Sequence, residues 1–460
     1  MSRKHRPKSV LTWLEFRRGE PAGRLGDPSL GGIVGRGPFS HAGYRWLWSG
    51  QLVSIIGDQL FPMAVVALAL GREESAFSLG VVFGSRFGAL ALLILVGGVL
   101  ADRMDKLRLM MSSDVVRLSA VLLLIGLGNG APLWALALIT FLMGAGESIF
   151  QPAYDSVVPS LVPERTLEQA NAATNMLKNT GQVVGPAGAG LLVAAVGPRS
   201  ALWVDAATFA VSSLTLLMVG RRLGERRKPA ARDEESMFAE AVAGIRVVVR
   251  MRWLMALEAM ALVHVLFAVG PWFVLVPLIA DDRLGGPAGY GFVLSAFALG
   301  GIGGAAVAGL TQKLFRRPGL WALAAISLFG VACLAFAATS SLPVLVALFA
   351  LGGAGVQFFD VLKTTAIQRH VPRALLGRVF ALDFFASFVG MPAGQMLAGL
   401  LVAGAGQAVT AMAVAGAVVF VTSVLPLAVR DVATLGAAGT EPPLPDPTAR
   451  TAAAGGGTAE

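Results

Sequence analysis

Several ionisable side chains lie inside otherwise apolar stretches of the sequence, among them Asp58, Arg86, Glu147 and His264. In a membrane span, such a group costs at least about 2.5–3.5 kcal/mol, which makes it a candidate functional residue. Burial disfavours the charged form of a carboxylate, and histidine titrates near neutral pH. Asp58, Glu147 and His264 are therefore candidates for proton binding and release, whereas Gln51 and Arg86 are candidates for lining a polar cavity.

Two of these residues also have simpler explanations. Asp58 lies about twelve residues into its apolar run, which corresponds to about 18 Å along a helix and places it near the middle of a span. A neighbour such as Arg86 can neutralise this carboxylate for folding alone. His264 lies at a comparable depth in its own run, where a histidine can be a hydrogen-bonded packing residue. The sequence leaves both alternatives open.

The composition of the chain indicates that these ionisable groups lie within a membrane. The chain has 460 residues, of which 55% are hydrophobic and 14% are charged, and its mean hydropathy is +0.70. Soluble domains carry about 25% charged residues, so this chain has too few charges to cover a surface in water. Apolar runs recur at about 46–70, 77–100, 108–128, 132–153, 172–196, 200–219, 253–275, 287–310, 318–339, 342–363, 377–403 and 408–428. The sequence predicts an all-α integral membrane protein with twelve transmembrane helices.

The sequence offers no paired carboxylates with a defined spacing, no set of metal ligands and no nucleophile motif. Cys333 is the single cysteine, only four histidines occur, and no His-Glu-x-x-His pattern is present. No lysine follows a glycine, so there is no Walker A loop for ATP phosphates. We therefore predict no enzyme activity, no metal and no cofactor, and an ion gradient as the source of energy for any work.

Most of the positively charged residues lie on one side of the predicted membrane. Lys and Arg number 37 against 28 Asp and Glu, and 31 of the 37 lie in segments on the side of the N-terminus. Short basic loops stay cytoplasmic, which predicts that both termini are inside and removes the main argument for nucleic-acid binding. The predicted domains are a basic cytoplasmic tail (1–43), a six-helix bundle (44–220), a cytoplasmic linker (221–252), a second six-helix bundle (253–430) and a disordered tail (431–460).

The linker has an amphipathic stretch over residues 236–252, which suits a helix at the cytoplasmic interface. A solvated linker with helical propensity explains the same stretch equally well.

The two predicted bundles repeat each other in sequence. Pro186-Ala187-Gly188 recurs 206 residues later as Pro392-Ala393-Gly394, and Arg45-Trp46-Leu47 recurs 207 residues later as Arg252-Trp253-Leu254. An even number of spans in each repeat preserves orientation, so the halves are predicted to be parallel. Transporters built from parallel repeats of this kind bind substrate near the middle of the membrane, between the two halves. The halves rock against each other, so that the binding site opens to one side of the membrane and then to the other.

The loop after the second apolar run, Gly98-Val99-Leu100-Ala101-Asp102-Arg103-Met104-Asp105-Lys106-Leu107-Arg108, resembles the signature loop of the major facilitator superfamily. Asp105 stands where that family usually has a second glycine. The resemblance implies that Gly98, Asp102, Arg103 and Arg108 belong to a cytoplasmic gate that locks the two halves together. The alternative is an ordinary positive-inside loop.

The fifth apolar run resembles the antiporter motif of drug:proton exporters, and the residues that match are Gly181, Gly185, Pro186, Gly188 and Gly190. Small residues and a proline also fit close helix packing without any exchange. Further stretches resemble the macrolide-efflux-like branch of these exporters: Ile56-Gly57-Asp58, Val204-Asp205-Ala206 and Gly377-Arg378-Val379. The resemblance of the last stretch implies that Arg378 also belongs to the cytoplasmic gate.

One departure from the drug exporters concerns the fourth run, where many members have an arginine ahead of a glycine-rich turn. The corresponding stretch, residues 139–146, contains no arginine, so that role cannot be carried over. The ionisable residues nearer the cytoplasmic ends are expected to form gating pairs or simple anchors: Asp114, Arg117, Asp360 and Lys363. Lys178 and Asp383 are left without a predicted role.

The sequence therefore predicts a secondary transporter of the bacterial plasma membrane that exports a lipophilic, drug-like or macrolide-like molecule against protons. Its expected partners are this small molecule, protons and membrane lipid, and it is expected to be a monomer. The alternatives are an exporter of a siderophore or another secondary metabolite, a lysophospholipid flippase, and a membrane receptor or scaffold that moves no solute.

Overall fold

A computed structural model describes the chain as helical, with no strand, over residues 37–72, 75–223, 251–311, 316–371, 376–429 and 431–435. Most of the predicted basic tail, linker and final tail lies outside these ranges. The helix predicted over residues 236–252 is among the segments not described, apart from its last residues.

Twelve long helices occupy the described ranges. The first six are α1 (Ala42–Leu70), α2 (Ser75–Arg103), α3 (Lys106–Leu127), α4 (Leu133–Leu161), α5 (Glu164–Val196) and α6 (Pro198–Leu223). The next, α7, consists of Arg252–His264 and Gly270–Arg283, joined through a π-helical turn at Val265–Val269. The last five are α8 (Pro287–Thr311), α9 (Pro318–Ala338), α10 (Leu342–His370), α11 (Leu376–Val389 and Met391–Leu401) and α12 (Ala405–Thr422).

Successive helices alternate in direction, because the turns that join them are short. Gly197 alone separates α5 from α6, and its φ of 81° is a left-handed conformation that glycine adopts without strain. We call the end of the bundle that holds His41 and Met251, where α1 and α7 begin, the terminal end. The opposite end, which holds Gly197 and Leu284, is the distal end.

Eleven helices in the described ranges are long and apolar enough to cross a membrane. The exception is α5, which has 33 residues and is therefore long enough, but carries many polar side chains. The polar residues of its first half include Gln169, Asn171, Asn175, Lys178 and Asn179. The apolar run predicted over 172–196 is thus the second part of a longer and more polar helix.

Contacts between the two halves follow the internal repeat. The offset of about 206 residues relates α2 to α8 and α5 to α11. The principal contacts across the halves are α2 against α11 and α5 against α8. The two contacts are therefore equivalent, because each joins the same pair of repeat-related helices. Small residues allow the close approach, because a Cβ on Gly80 of α2 would lie 3.1 Å from the Cα of Gly399 in α11.

The buried core joins the halves at one end only. The largest apolar cluster contains residues of both halves in the distal part of the bundle, such as Phe61 of α1 and Trp272 of α7. Two smaller clusters lie toward the terminal end, one around Tyr44 in the first half and one around Trp253 in the second. The described residues therefore pack as one body at the distal end and as two bodies at the terminal end.

Two helices of the second half are interrupted, and their interruptions contact each other. The π-helical turn of α7 precedes Pro271, and α11 breaks at Gly390 just before Pro392. Proline has no N–H to donate to the preceding turn, which favours such breaks. A Cβ on Gly270 would lie 3.2 Å from the Cα of Gly394, so the two helices approach closely beside their breaks.

Candidate functional site

A cavity of about 340 Å³ lies between the two halves. Its charged and amide side chains come from helices of the first half and are Asp58, Gln59, Arg86, Glu147 and Gln182. The second half contributes aromatic side chains from α7 and α8, namely Trp272, Phe273, Tyr290 and Phe297. One wall of the cavity is therefore charged, whereas the facing wall is apolar and aromatic.

Aromatic contacts close one side of this cavity across the halves. The ring of Phe273 lies 5.6 Å from that of Phe83 and 5.2 Å from that of Phe87, both on α2. Trp272 stacks on Phe349 of α10, with 5.8 Å between the ring centroids, and its indole N–H has no hydrogen-bond acceptor among the described residues. This wall can pack against a bulky apolar molecule and has one unused donor.

The charged wall contains a chain of ionic contacts that joins α1, α3 and α6. Arg117 lies 3.3 Å from Asp58 and 2.7 Å from Asp114, measured between guanidinium nitrogens and carboxylate oxygens. The Ser212 hydroxyl donates to the other oxygen of Asp114 at 2.7 Å. Asp58 is thus the exposed end of a network whose remaining members are buried.

The position of Arg117 corrects the prediction that it forms a gate or an anchor near the cytoplasmic end. Its guanidinium carbon lies 4.7 Å from the ring centroids of both Phe150 and Phe209, and its side chain is only 4% exposed. Two aromatic faces therefore hold the cation in place beside Asp58. An ionised Asp58 needs a cation at the same depth, but from the sequence Arg86 meets that need equally well, so the signal does not single out Arg117.

The second charged pair of the cavity joins α2 to α4. Arg86 donates to Glu147 at 3.0 Å, and both side chains line the cavity. The carboxylate of Glu147 is 44% exposed on the side-chain scale, against 31% for Asp58. Glu147, a predicted proton-binding residue, is therefore paired with Arg86, a predicted cavity residue. The alternative in which Arg86 neutralises Asp58 does not match this geometry.

Asp205 is an ionisable residue whose only signal in the sequence is the resemblance carried by Val204-Asp205-Ala206. It is 0% exposed, and neither of its carboxylate oxygens has a hydrogen-bond partner in the described part of the chain. It lies close to α1, because a Cβ on Gly57 would be 2.7 Å from its Oδ1. Asp205 is therefore next to the Asp58 network without belonging to its hydrogen bonds.

Two further predicted residues lie away from the cavity. His264 is buried, and its Nε2 lies 2.8 Å from the Thr422 hydroxyl of α12, so it connects two helices of the second half. Gln51 is also buried and does not line the cavity, and its side-chain oxygen has no partner among the described residues. This geometry favours the packing explanation for His264.

Most of the predicted cytoplasmic gate cannot be placed by side chain. The side chains of Gly98, Asp102, Arg103 and Arg378 lie outside the described part of the chain. Arg108 is exposed, and its backbone N–H donates to the side chain of Asp105 at 2.9 Å. Asp105, which replaces the usual glycine of the loop, is therefore the N-cap of α3.

The glycines of the antiporter-like motif lie in three different environments. A Cβ on Gly181 or Gly185 would collide with side chains of α1, those of Ile55 and Gln59 respectively. A Cβ on Gly190 would collide with the backbone of α8 in the other half, whereas one on Gly188 would meet nothing within 4 Å. Pro186 is buried beside α8, because a Cβ on Gly291 would meet its backbone oxygen.

A separate ionic cluster lies in the second half, toward the terminal end. The Lys363 ammonium of α10 is 2.5 Å from Asp383 of α11 and 3.7 Å from Glu258 of α7. Lys363 is only 4% exposed, so it holds three helices together by charge within the bundle. This placement fits the predicted anchoring role of Lys363 and gives Asp383 a partner.

The site can therefore attract a cation to Asp58 and enclose a large apolar group against the aromatic wall. Among the described residues, no group of three His, Cys, Asp or Glu side chains is placed to hold a metal ion.

The fold is shared with transporters of known structure. A bacterial homologue of the iron transporter ferroportin, in its inward-facing state, superposes with a TM-score of 0.66 at 20% identity, over 84% of this chain and 98% of that chain. A peptide transporter POT in complex with alafosfalin superposes with a TM-score of 0.67 at 14% identity, over 86% of this chain and 96% of that chain. These likenesses concern the fold.

Sequence comparison identifies the family. Macrolide efflux protein A of Streptococcus pyogenes is 27% identical over 360 residues, which cover 77% of this chain and 88% of that protein. The multidrug efflux pump Tap of Mycolicibacterium fortuitum is 29% identical over 366 residues, which cover 76% of this chain and 86% of that protein. The model of the family described as transmembrane secretion effector matches residues 34–449. The chain thus belongs to the transmembrane secretion effector family of the major facilitator superfamily and is a multi-pass membrane transporter, not an enzyme.

Proposed function

We propose that this transporter exports a lipophilic weak base, such as a macrolide-like compound, from a bacterial cell in exchange for protons. The observation that carries the proposal is the two-sided cavity, in which Asp58 faces the aromatic wall formed by Trp272, Phe273 and Phe297. A lipophilic cation satisfies both walls at once, because its charge pairs with the carboxylate and its apolar body packs on the rings.

The same network supports the proposed exchange of substrate for protons. Arg117 already pairs with Asp58, so an arriving cation must compete with the guanidinium for that carboxylate. Protonation of a carboxyl group in the network cancels its attraction for a cation, so protons and substrate bind at each other's expense. Small sugars and inorganic anions fit poorly, since they require many converging polar groups that this cavity does not offer.

The names of the relatives agree with this direction of transport. They are a macrolide efflux protein and a multidrug efflux pump, each similar to this chain over about three quarters of its length. We propose that the chain functions as a monomer in the plasma membrane, with residues 44–220 and 253–430 as the two rocking halves and both termini cytoplasmic. The shared core at the distal end and the separate cores at the terminal end support an inward-open arrangement.

Uptake of a radiolabelled macrolide into inside-out membrane vesicles tests the proposal. An interior-acid pH gradient should drive accumulation in vesicles that contain the protein, and a proton uncoupler should abolish it. A lysophospholipid, a siderophore and a sugar serve as competing substrates in the same assay. Accumulation of one of these instead of the macrolide would contradict the proposed substrate class, and accumulation that ignores the uncoupler would contradict proton coupling.

The proposed orientation predicts a labelling pattern for two matched variants. Arg199→Cys lies at the distal end and should react with a membrane-impermeant maleimide in intact cells, whereas Arg165→Cys lies at the terminal end and should react only after the membrane is opened. Both arginines are exposed, and the native Cys333 is fully buried, so it should contribute little background. Labelling of Arg165→Cys in intact cells would show that the terminal end lies outside the cell, which would contradict the proposed topology.

Closure of the distal end predicts different tolerance at two neighbouring glycines. Gly190→Val should lower the transport rate by about tenfold or more, because its side chain meets the backbone of Pro287 in the opposite half. Gly188→Val is the matched control and should transport normally, since a Cβ there has free space. The measurement is the initial rate of vesicle uptake at equal amounts of protein. Equal rates for the two variants would mean that transport does not require the two halves to pack closely at the distal end.

A further inference from the structure

The strongest feature that the proposed function does not use is the carboxyl group of Asp205. Its side chain is fully buried, and both oxygens lack a hydrogen-bond partner among the described residues. A buried charge without a partner is so costly that the group takes up a proton instead. The geometry alone therefore favours a neutral carboxylic acid at this position in the arrangement described here.

The charges around Asp205 lead to the same conclusion. Arg86 and Glu147 form a pair with no net charge. Arg117 is then the cation shared by three carboxyl groups, because it contacts Asp58 and Asp114 and interacts electrostatically with Asp205. Three ionised carboxylates around one guanidinium would leave two uncompensated charges in the bundle, which at least one proton relieves.

The helix periodicity places Asp205 within reach of Arg117. Phe209 and Ser212 follow Asp205 by four and seven residues, so the three side chains share one face of α6. The guanidinium of Arg117 stacks on Phe209, and Asp114 accepts from Ser212. Asp205 is thus four residues from the ring on which Arg117 rests, about 6 Å along the helix axis.

The titratable and charged groups that face Asp205 come from three neighbouring helices. They are Asp58 of α1, Arg86 of α2 and Arg117 of α3, and Asp114 of α3 pairs with that arginine. The adjacent part of α5, residues 181–196, carries no ionisable side chain. Arg117 is the member of this set that already bridges two carboxylates, so it is the group that can exchange one carboxylate partner for another.

We infer that Asp205 carries the exported substrate's counter-proton, and that Arg117 transfers between Asp58 and Asp205 to exchange it. This inference rests on the proposed function. When a lipophilic cation pairs with Asp58, Arg117 loses one partner and pairs with Asp205, whose carboxylic acid releases one proton. When the cation leaves, Arg117 returns to Asp58 and Asp205 takes up one proton. One positive charge enters the site for each proton that leaves it, so the exchange is balanced.

Proton release on substrate binding tests this inference directly. Purified protein in a weakly buffered solution with a pH dye is mixed with tetraphenylphosphonium, a permanent cation that carries no proton itself. The wild-type protein should release about one proton for each bound cation. Asp205→Asn should release no proton and should bind the cation at least about tenfold more weakly, because its neutral amide cannot become the ionic partner of the displaced Arg117. Asp205→Glu should restore the release, because it restores a titratable group.

The control variant and the infrared spectrum complete the test. Asp282→Asn, an exposed aspartate of the distal end, should behave as the wild type. The infrared band of a protonated carboxyl group should be lost in Asp205→Asn, which should also fold as well as the wild type because asparagine replaces a neutral acid. Proton release that persists in Asp205→Asn, or a loss of folding in this variant, would overturn the inference.

The result also separates the inference from the proposed function. Proton release that persists in Asp205→Asn would overturn the inference alone, because another carboxyl group would then exchange the proton. Binding of the cation without proton release in the wild type would contradict proton exchange and the inference with it. No binding of the cation to the wild type would contradict the proposed substrate class, and the inference with it.

Discussion

Asp58→Asn should reduce macrolide accumulation driven by a pH gradient to the level of vesicles that lack the protein. Asp58 is the carboxylate of the ionic network that lines the cavity, and its side chain is 31% exposed there. The amide removes the negative charge that attracts a cationic substrate and that forms the ion pair with Arg117. The loss should therefore affect binding and coupling together, by about a hundredfold or more in rate.

The control for this variant is Asp282→Asn, which removes the same charge from an exposed position at the distal end. It should accumulate the macrolide at the wild-type rate. The amount of folded protein should be similar in both variants, because Asp58 borders open space and an asparagine can still accept from Arg117. Full proton-driven accumulation in Asp58→Asn would move the substrate-binding role to Glu147.

Arg117→Met should lower the stability of the protein and abolish transport. The guanidinium is buried between Phe150 and Phe209 and neutralises Asp58 and Asp114. Removing one partner of a buried ionic contact costs about 3–5 kcal/mol, because the remaining charges are left without compensation. Methionine keeps much of the apolar stem, so the loss should come from the charge. The measurement is the midpoint of thermal unfolding in detergent.

Two comparisons establish the cause of that loss. Arg283→Met removes a partly exposed arginine that pairs with Asp282, and its unfolding midpoint should match the wild type. Combining Arg117→Met with Asp114→Asn should restore part of the lost stability, since the double variant has one buried carboxylate fewer. An Arg117→Met protein as stable as the wild type would mean that the ionic network does not hold α1, α3 and α6 together.

The fold was readable from the sequence because it depends on local composition. Apolar runs long enough to span a bilayer predicted the helices, and the repeat at about 206 residues predicted two parallel six-helix halves. The two exceptions have local causes as well. α5 extends beyond its apolar part because polar residues of its first half still form helix, and Asp105 replaces a glycine because it caps α3.

The site was only partly readable, because its partners are far apart in sequence. Asp58, Arg86 and Glu147 were predicted from the cost of burying charge, and each lines the cavity. That cost does not reveal which charge pairs with which, so Arg117 was assigned to the wrong place. The aromatic wall around Trp272 was equally hidden, since aromatic side chains are common in membrane helices and only packing across the halves distinguishes it.

The exchange of a lipophilic cation for a proton is most directly tested in liposomes that contain the purified protein and an internal pH dye. Tetraphenylphosphonium is added outside, with the membrane potential clamped by potassium and valinomycin. The proposed function predicts that cation entry raises the internal pH as protons leave, and that Asp58→Asn liposomes show no change. Entry of the cation through the wild-type protein without any change in internal pH would contradict it.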